Sequence, residues 1–223
     1  MTDNQLYILD ARKLENEKVF GYWYNKMPPQ RREKIDRFRF EKDKRLSLGA
    51  GILLYTALSR EEVKKISIRC GEYGKPYLTD NKDVFFNISH SGSVAVCAVS
   101  SRPVGVDVEE LRHFDERLKS YVYSADELGK DRSDSRCTRL WTIKESVMKY
   151  FGTGISLGAK KIHISFGDAI SVSCDGFDTA GLFISEYAYM TAAISVCSEF
   201  ANFDVAPEFI DPASEQCRQV KRV

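Results

Sequence analysis

VGVDVEE, residues 104–110, alternates valine at 104, 106 and 108 with glycine, aspartate and glutamate at 105, 107 and 109. Side chains along a strand point to opposite faces in turn. The valines therefore belong to a core, while Asp107 and Glu109 share the other face, roughly 7 Å apart. Carboxylates at that spacing repel, and each raises the other's pKa unless a cation lies between them. Two readings fit: an edge strand with a wet outer face, or half of a divalent-cation site that needs a third carboxylate. The stretch follows the apolar run Val94-Ala95-Val96-Cys97-Ala98-Val99 and a turn at Ser101-Arg102-Pro103. A strand, a turn and a second strand thus occupy the middle of the chain.

Outward from this pair the pattern alternates between sheet and helix. Upstream lie an opening strand at 5–9, helices at 29–38 and 41–59, and strands at 65–70, 84–88 and 93–99. Pro28-Pro29 suits a helix start, and Leu46, Gly49, Ala50, Leu53 and Ala57 recur at helical spacing. Downstream lie helical segments at 114–121, 124–130 and 134–151, the last halted by Gly152-Thr-Gly154. Strand-like runs follow at 160–166, 169–174, 180–187 and 190–197, and the tail after Glu199 is weakly patterned. Each half holds helix followed by strands. The pattern implies an α+β protein of two similar halves, 1–102 and 103–223, each a small antiparallel sheet packed with helices.

Composition narrows the function. Of 223 residues, 43% are hydrophobic, enough for a real core, and the formal net charge of +1 argues against a dedicated nucleic-acid binder. The start lacks a signal-peptide pattern and no apolar run reaches transmembrane length. The six cysteines form no CxxC pair, so neither a zinc knuckle nor a dithiol motif is indicated, and a reduced, cytoplasmic protein is expected. Charge is uneven, however. Residues 30–45 hold eight Lys or Arg against four acids, and 105–127 hold seven acids against three Lys or Arg. One region suits anions and the other a cation.

WTIKESVMK, residues 141–149, supplies the third carboxylate. Trp141, Glu145 and Lys149 fall at i, i+4 and i+8 on one helical stripe, flanked by apolar residues. Glu145 and Lys149 read either as an ordinary helical ion pair or, with Asp107 and Glu109, as a hard oxygen ligand set for magnesium beside a phosphate-balancing lysine. FNISHSG, residues 86–92, ends a strand in small polar residues around His90, which suits either a hydrogen-bonded turn or an anion-binding concavity. EYGKPYL, residues 72–78, places Lys75 in a turn beside a proline.

Together these pieces resemble the 4′-phosphopantetheinyl transferase family, in its longer, monomeric Sfp-type (surfactin-synthetase-activating) branch. The resemblance runs over most of residues 5–197. GVDVE (105–109), followed 31 residues later by WTIKESVMK, looks like the family's two signatures. RREK (31–34), the helix around Arg45, EYGKP (72–76) and NISHSG (87–92) look like its substrate-side motifs. The resemblance implies two α+β halves related by a pseudo-twofold, with the active site in the cleft between them. It also implies transfer of the 4′-phosphopantetheine arm of coenzyme A to a serine of an apo acyl or peptidyl carrier protein, releasing adenosine 3′,5′-bisphosphate.

Carried over residue by residue, the resemblance gives Asp107, Glu109 and Glu145 to Mg²⁺, or Mn²⁺ in its place. Lys149 would stabilise charge as the phosphoanhydride breaks, and Glu145, or a water it orients, would accept the serine proton. Gly74, Lys75 and Pro76 would frame the adenine, and Arg31, Arg45, Ser89 and His90 would meet the 3′-phosphate. Lys144 would lie beside the phosphates or support the helix. Glu127, in SADE (124–127), matches a family element and would support the metal site. Glu110 departs from many relatives and is open to three roles: solvent-facing, ligand or base. A monomer acting on CoA and a carrier, with no nucleic acid or membrane partner, is the expectation. Two alternatives stand beside it. One is a non-catalytic CoA- or carrier-binding module; the other is a metal-dependent nuclease, against which Leu111 stands where a lysine is usual.

Overall fold

The computed structural model describes residues 4–200, 203 and 206–214. The chain opens with strand β1 (Asn4–Asp10), a 3-10 turn, and helices α1 (Glu17–Lys26), α2 (Pro29–Asp36) and α3 (Glu41–Arg60). Strands β2 (Ile68–Cys70), β3 (Pro76–Leu78), β4 (Phe85–Ser91), β5 (Val94–Ser100) and β6 (Val104–Glu110) follow. Then come α4 (Glu116–Val122), α5 (Ala125–Leu128) and α6 (Asp134–Phe151). The chain closes with β7 (Ile162–Phe166), β8 (Ile170–Cys174), β9 (Phe183–Tyr189), β10 (Ala192–Ser198) and β11 (Glu208–Phe209).

Local chemistry sets the helix ends. The Asn16 side chain accepts from the Lys18 and Val19 amides to cap α1, and Pro29 opens α2 at a position whose N–H would have no partner. Ser133 caps α6 by accepting from the Arg136 amide, and Gly152 closes that helix with a left-handed φ of 70°. Ser124 and Glu127 form a reciprocal capping box on α5.

Two principal sheets result, ordered β11-β1-β5-β4 and β6-β10-β9, with β2-β3 and β7-β8 as separate hairpins. All pairings are antiparallel except β1 with β11. The architecture is α+β, as the alternation of periods implies. The sheets face each other across a core of Leu6, Ile8, Val94, Val96, Val106, Val108, Ile194 and Val196. The outer face of the first sheet packs on α1–α3 through Leu48, Ile52, Leu53, Trp23 and Cys97. Helix α6 covers the second sheet, with Val147, Met148 and Cys197 buried together. The valine face of VGVDVEE is thus the seam between the two sheets, and its acidic face looks toward α6.

Three elements are absent from the sequence expectation: α1, β3 and β11. The residues of β11 cross back from the C-terminal half to pair with β1, Tyr7 opposite Glu208. No helix among the described residues is long and apolar enough to cross a membrane.

Candidate active site

Gly105 explains why the acidic face of β6 is buried. A Cβ there would lie 2.0 Å from the Ser146 carbonyl oxygen and 2.4 Å from the Tyr150 nitrogen, so only glycine lets α6 come this close. The approach brings Glu145 and Lys149 over Asp107. One Asp107 oxygen, Oδ1, accepts from Lys149 Nζ at 2.6 Å and from Ser89 Oγ at 2.7 Å. Lys149 also donates to Ser89 Oγ at 2.7 Å, closing a triangle. The other oxygen, Oδ2, is buried with no hydrogen-bond partner. Burial raises the Asp107 pKa against the pull of Lys149.

Glu145 Oε2 stands 4.0 Å from Lys149 Nζ, and its pKa is raised, first by burial and then by the charge of Asp107. Glu109 is half-buried and paired with Arg112 Nε at 2.9 Å, its pKa likewise raised by burial. Arg112 in turn packs over Phe114, 4.4 Å from the ring centre. The wet outer face allowed for β6 does not exist. Its exposed strand edge is covered too: Asn87 Oδ1 accepts from the Val106 amide at 2.8 Å, and Ser91 Oγ from the Glu110 amide at 3.2 Å. Alternate residues of NISHS therefore join the two sheets at one corner.

Beside this corner, β4 borders a cavity of about 590 Å³, lined by Arg31, Lys34, Tyr55, Gly74, Pro76, Ser89, His90 and Lys149 among others. Its wall is crowded with cations. Arg31 is largely buried, one guanidinium nitrogen donating to the Ser47 carbonyl while Nε has no partner. Burial lowers the Arg31 pKa; partial desolvation beside the cavity and then the Arg31 charge lower that of the more exposed Lys34. The His90 side chain opens to solvent, but the protein packed around it partly desolvates the ring and this, with the Lys149 charge, lowers its pKa and favours the neutral form. A phosphate set among these groups would relieve their repulsion and take up the free Arg31 donor. Lys149 lines the cavity and also touches the carboxylates, so the two regions are continuous.

Not every expected residue joins this assembly. Arg45 lines a different cavity with Glu110 and lies 3.8 Å from Glu15. Lys75 does not line this cavity: its Nζ donates to the Val104 and Tyr150 carbonyls at 3.0 and 2.9 Å. Burial lowers the Lys75 pKa to about 8. Lys144 is fully buried and pairs with Glu127 at 2.8 Å, so these two hold each other rather than a phosphate or a metal. Glu110 is bonded to the β4–β5 turn. Conversely, Lys34, Arg112, Asn87 and Ser91 take part although their place in the sequence gives none of them an individual role. Lys34 carries the nearest to a signal, since it follows Arg31 by three residues on one helix.

Among the described residues no three His, Cys, Asp or Glu side chains stand preassembled around a point. Lys149 and Arg112 occupy the carboxylates instead. The donor chemistry nevertheless fits a hard divalent cation: three carboxylates, all oxygen, one with a buried oxygen that nothing satisfies.

A sequence model described as the 4′-phosphopantetheinyl transferase superfamily matches residues 103–197, and one described as the N-terminal part of such transferases matches 16–102. A 4′-phosphopantetheinyl transferase of Bacillus subtilis is 32% identical over 78% of this chain and 83% of its own length. The chain belongs to the 4′-phosphopantetheinyl transferase family. The Sfp transferase of Bacillus subtilis (strain 168) is 35% identical over 64% of this chain, a match that spans 66% of Sfp. HetI of Nostoc, also named a 4′-phosphopantetheinyl transferase, is 31% identical over 55% of the chain and 58% of its own length. Membership makes the protein a transferase, and the nuclease alternative falls. The two family matches meet at 102/103, in the turn before VGVDVEE, so the transferase's carboxylate strand opens the second match, while its cationic cavity is built by the first except for Lys149, which the second supplies.

Proposed function

We propose that this transferase moves the 4′-phosphopantetheine group of coenzyme A onto a serine hydroxyl of an apo acyl or peptidyl carrier protein, leaving adenosine 3′,5′-bisphosphate. The observation that carries the reading is the double position of Lys149, at once on the cationic cavity and on the carboxylate cluster. The nucleotide lies in the cavity, with Gly74 and Pro76 beside the base and Arg31, Lys34 and His90 toward the 3′-phosphate. Arg45, on another cavity, takes no part in that contact. The pyrophosphate then reaches Lys149, where serine oxygen bonds to the phosphorus of the pantetheine side and the P–O bond to the nucleotide breaks.

Three side chains manage the charge. Glu145, whose raised pKa makes it a better base than an ordinary carboxylate, or a water it orients, accepts the serine proton. Lys149 meets the negative charge of the departing bisphosphate. Ser89 fixes Lys149 and Asp107 in one geometry. A divalent cation, Mg²⁺ or Mn²⁺, held by Asp107, Glu109 and Glu145 would add Lewis-acid stabilisation of the phosphates. The five described cysteines are free thiols, four of them buried, in keeping with a reducing cytoplasm.

Incubation with CoA, Mg²⁺ and a panel of apo-carriers, followed by intact mass measurement of each carrier, tests the reading. Gain of one phosphopantetheine, abolished by EDTA, is expected. CoA binding without any mass gain would instead establish the non-catalytic module, and undiminished transfer in EDTA would remove the cation.

A further inference from the structure

Glu110 is the acid of VGVDVEE that the carboxylate cluster does not use. It points to the face opposite Glu109 and reaches the tip of the β4–β5 hairpin. Its Oε1 accepts from the Ser93 amide at 2.9 Å and from Ser93 Oγ at 3.0 Å, while its own amide donates to Ser91 Oγ at 3.2 Å. Gly92 makes the seat. It adopts a φ of +57°, and a Cβ there would lie 1.8 Å from the Glu110 carboxyl carbon. Any side chain at 92 would evict the carboxylate.

What this tip carries gives the contact its meaning. Ser91 and Gly92 directly follow Ser89, which holds Asp107 and Lys149, and His90, which lines the cationic cavity. One carboxylate therefore ties the strand end bearing Ser89 and His90 to the strand bearing Asp107 and Glu109.

We propose that Glu110 is a positioning residue for coenzyme A: it locks the Ser91–Ser93 turn to β6, sets Ser89 and His90 against the nucleotide phosphates, and serves neither as metal ligand nor as base. The inference rests on the reading of the cavity as the nucleotide site. Reach and charge can be separated by substitution. Glu110→Gln keeps the length and an accepting oxygen but loses the charge; Glu110→Asp keeps the charge but falls short of the turn.

CoA titration calorimetry and steady-state kinetics on the wild type, Glu110→Ala, Glu110→Gln and Glu110→Asp decide between roles. Glu110→Ala and Glu110→Asp should each weaken CoA by about tenfold, the equivalent of about 1.4 kcal/mol. KM for CoA should rise in parallel, with kcat held within about twofold, and Glu110→Gln should bind CoA nearly as the wild type does. A purely structural role would lower the thermal midpoint or active fraction without moving KM. Wild-type CoA affinity in both Glu110→Ala and Glu110→Asp would overturn the lock. So would a kcat loss in Glu110→Gln, the mark of a ligand or base. If Glu110→Ala does not fold, the Gln and Asp variants draw the same distinction. A wild type that does not bind CoA would instead remove the cavity reading, and the lock with it.

Discussion

Asp107 has two oxygens in different circumstances, and the difference shapes the chemistry. Oδ1 is shared by Lys149 and Ser89, whereas Oδ2 is buried and bare. A buried polar atom without a partner is costly, on the order of 1–3 kcal/mol, and asks for a ligand. Asp107→Asn should therefore do more than weaken a cation: it leaves Lys149 without its nearest counter-charge, and added Mg²⁺ should restore little of the lost transfer. Glu145 fails differently. Its amide variant cannot take the serine proton, so Glu145→Gln should lower kcat by at least about 10²-fold under saturating Mg²⁺ and CoA. Rescue to the wild-type kcat by Mg²⁺ would make Glu145 a ligand only. The pH profile adds a second check. Because burial and Asp107 raise the Glu145 pKa, its ionised form is lost on acidification above the usual carboxylate value of about 4.3. In that same window the folded state binds the extra proton, so the Glu145 contribution to stability grows as pH falls. Activity measured from pH 7 downward should accordingly fall before the fold weakens.

Helix α6 gathers these roles because its two faces are unlike. Trp141, Glu145 and Lys149 form the half-buried stripe toward β6, as their spacing along one helix implies. A neighbouring face, about 100° round the helix, holds Lys144, whose Nζ donates to the Val122, Ala159 and Ile162 carbonyls and pairs with Glu127. Glu127 accepts in turn from the Ser124 and Ile164 amides. One buried ion pair thus pins α6 to α4, α5 and β7. Lys144→Met should cost about 3–5 kcal/mol in denaturant unfolding, because it strands a buried carboxylate. The double variant Lys144→Met/Glu127→Gln should cost less than the sum of the two singles, and strict additivity would mean the pair is not coupled. This pair also marks where sequence reading stops. The stripe is legible because helical periodicity is local, and the capping box Ser124-x-x-Glu127 is local too. That Lys144 meets Glu127 depends on how α5 and β7 dock, which no spacing encodes. Arg31 and Arg45 are a similar case: both sit in one basic stretch, but the α2–α3 packing sends them to separate cavities. Helix α1 escaped because its stretch, EKVFGYWYNK, follows polar sequence and buries only Trp23. Strands β3 and β11 have three and two residues, too short for any alternation to show.

At the scale of the whole molecule, the proposed active site is a seam. The sheets meet through the Val106–Val108 core, the Asn87, Ser89 and Ser91 bonds to β6, and Lys75, which reaches from the β2–β3 hairpin to the Val104 and Tyr150 carbonyls. Lys75 therefore ties the first half to the start of β6 and the end of α6, the two elements that carry the carboxylates. It does so with two acceptors and no counter-ion among its hydrogen bonds, and a neutral amine has two N–H groups to match them. Burial accordingly lowers its pKa to about 8, against about 10.4 in the unfolded chain. Between those values the unfolded state binds more protons, so this residue makes stability rise with pH. Unfolding by denaturant at pH 7.5 and pH 9.5 should show the wild type gaining, relative to Lys75→Met, on the order of 2 kcal/mol over that interval. The methionine variant keeps the chain length but breaks the seam, so transfer should fall with it even where stability does not. A wild-type advantage that stays constant with pH would show that Lys75 remains an ammonium throughout, and that the joint between the halves carries a full positive charge.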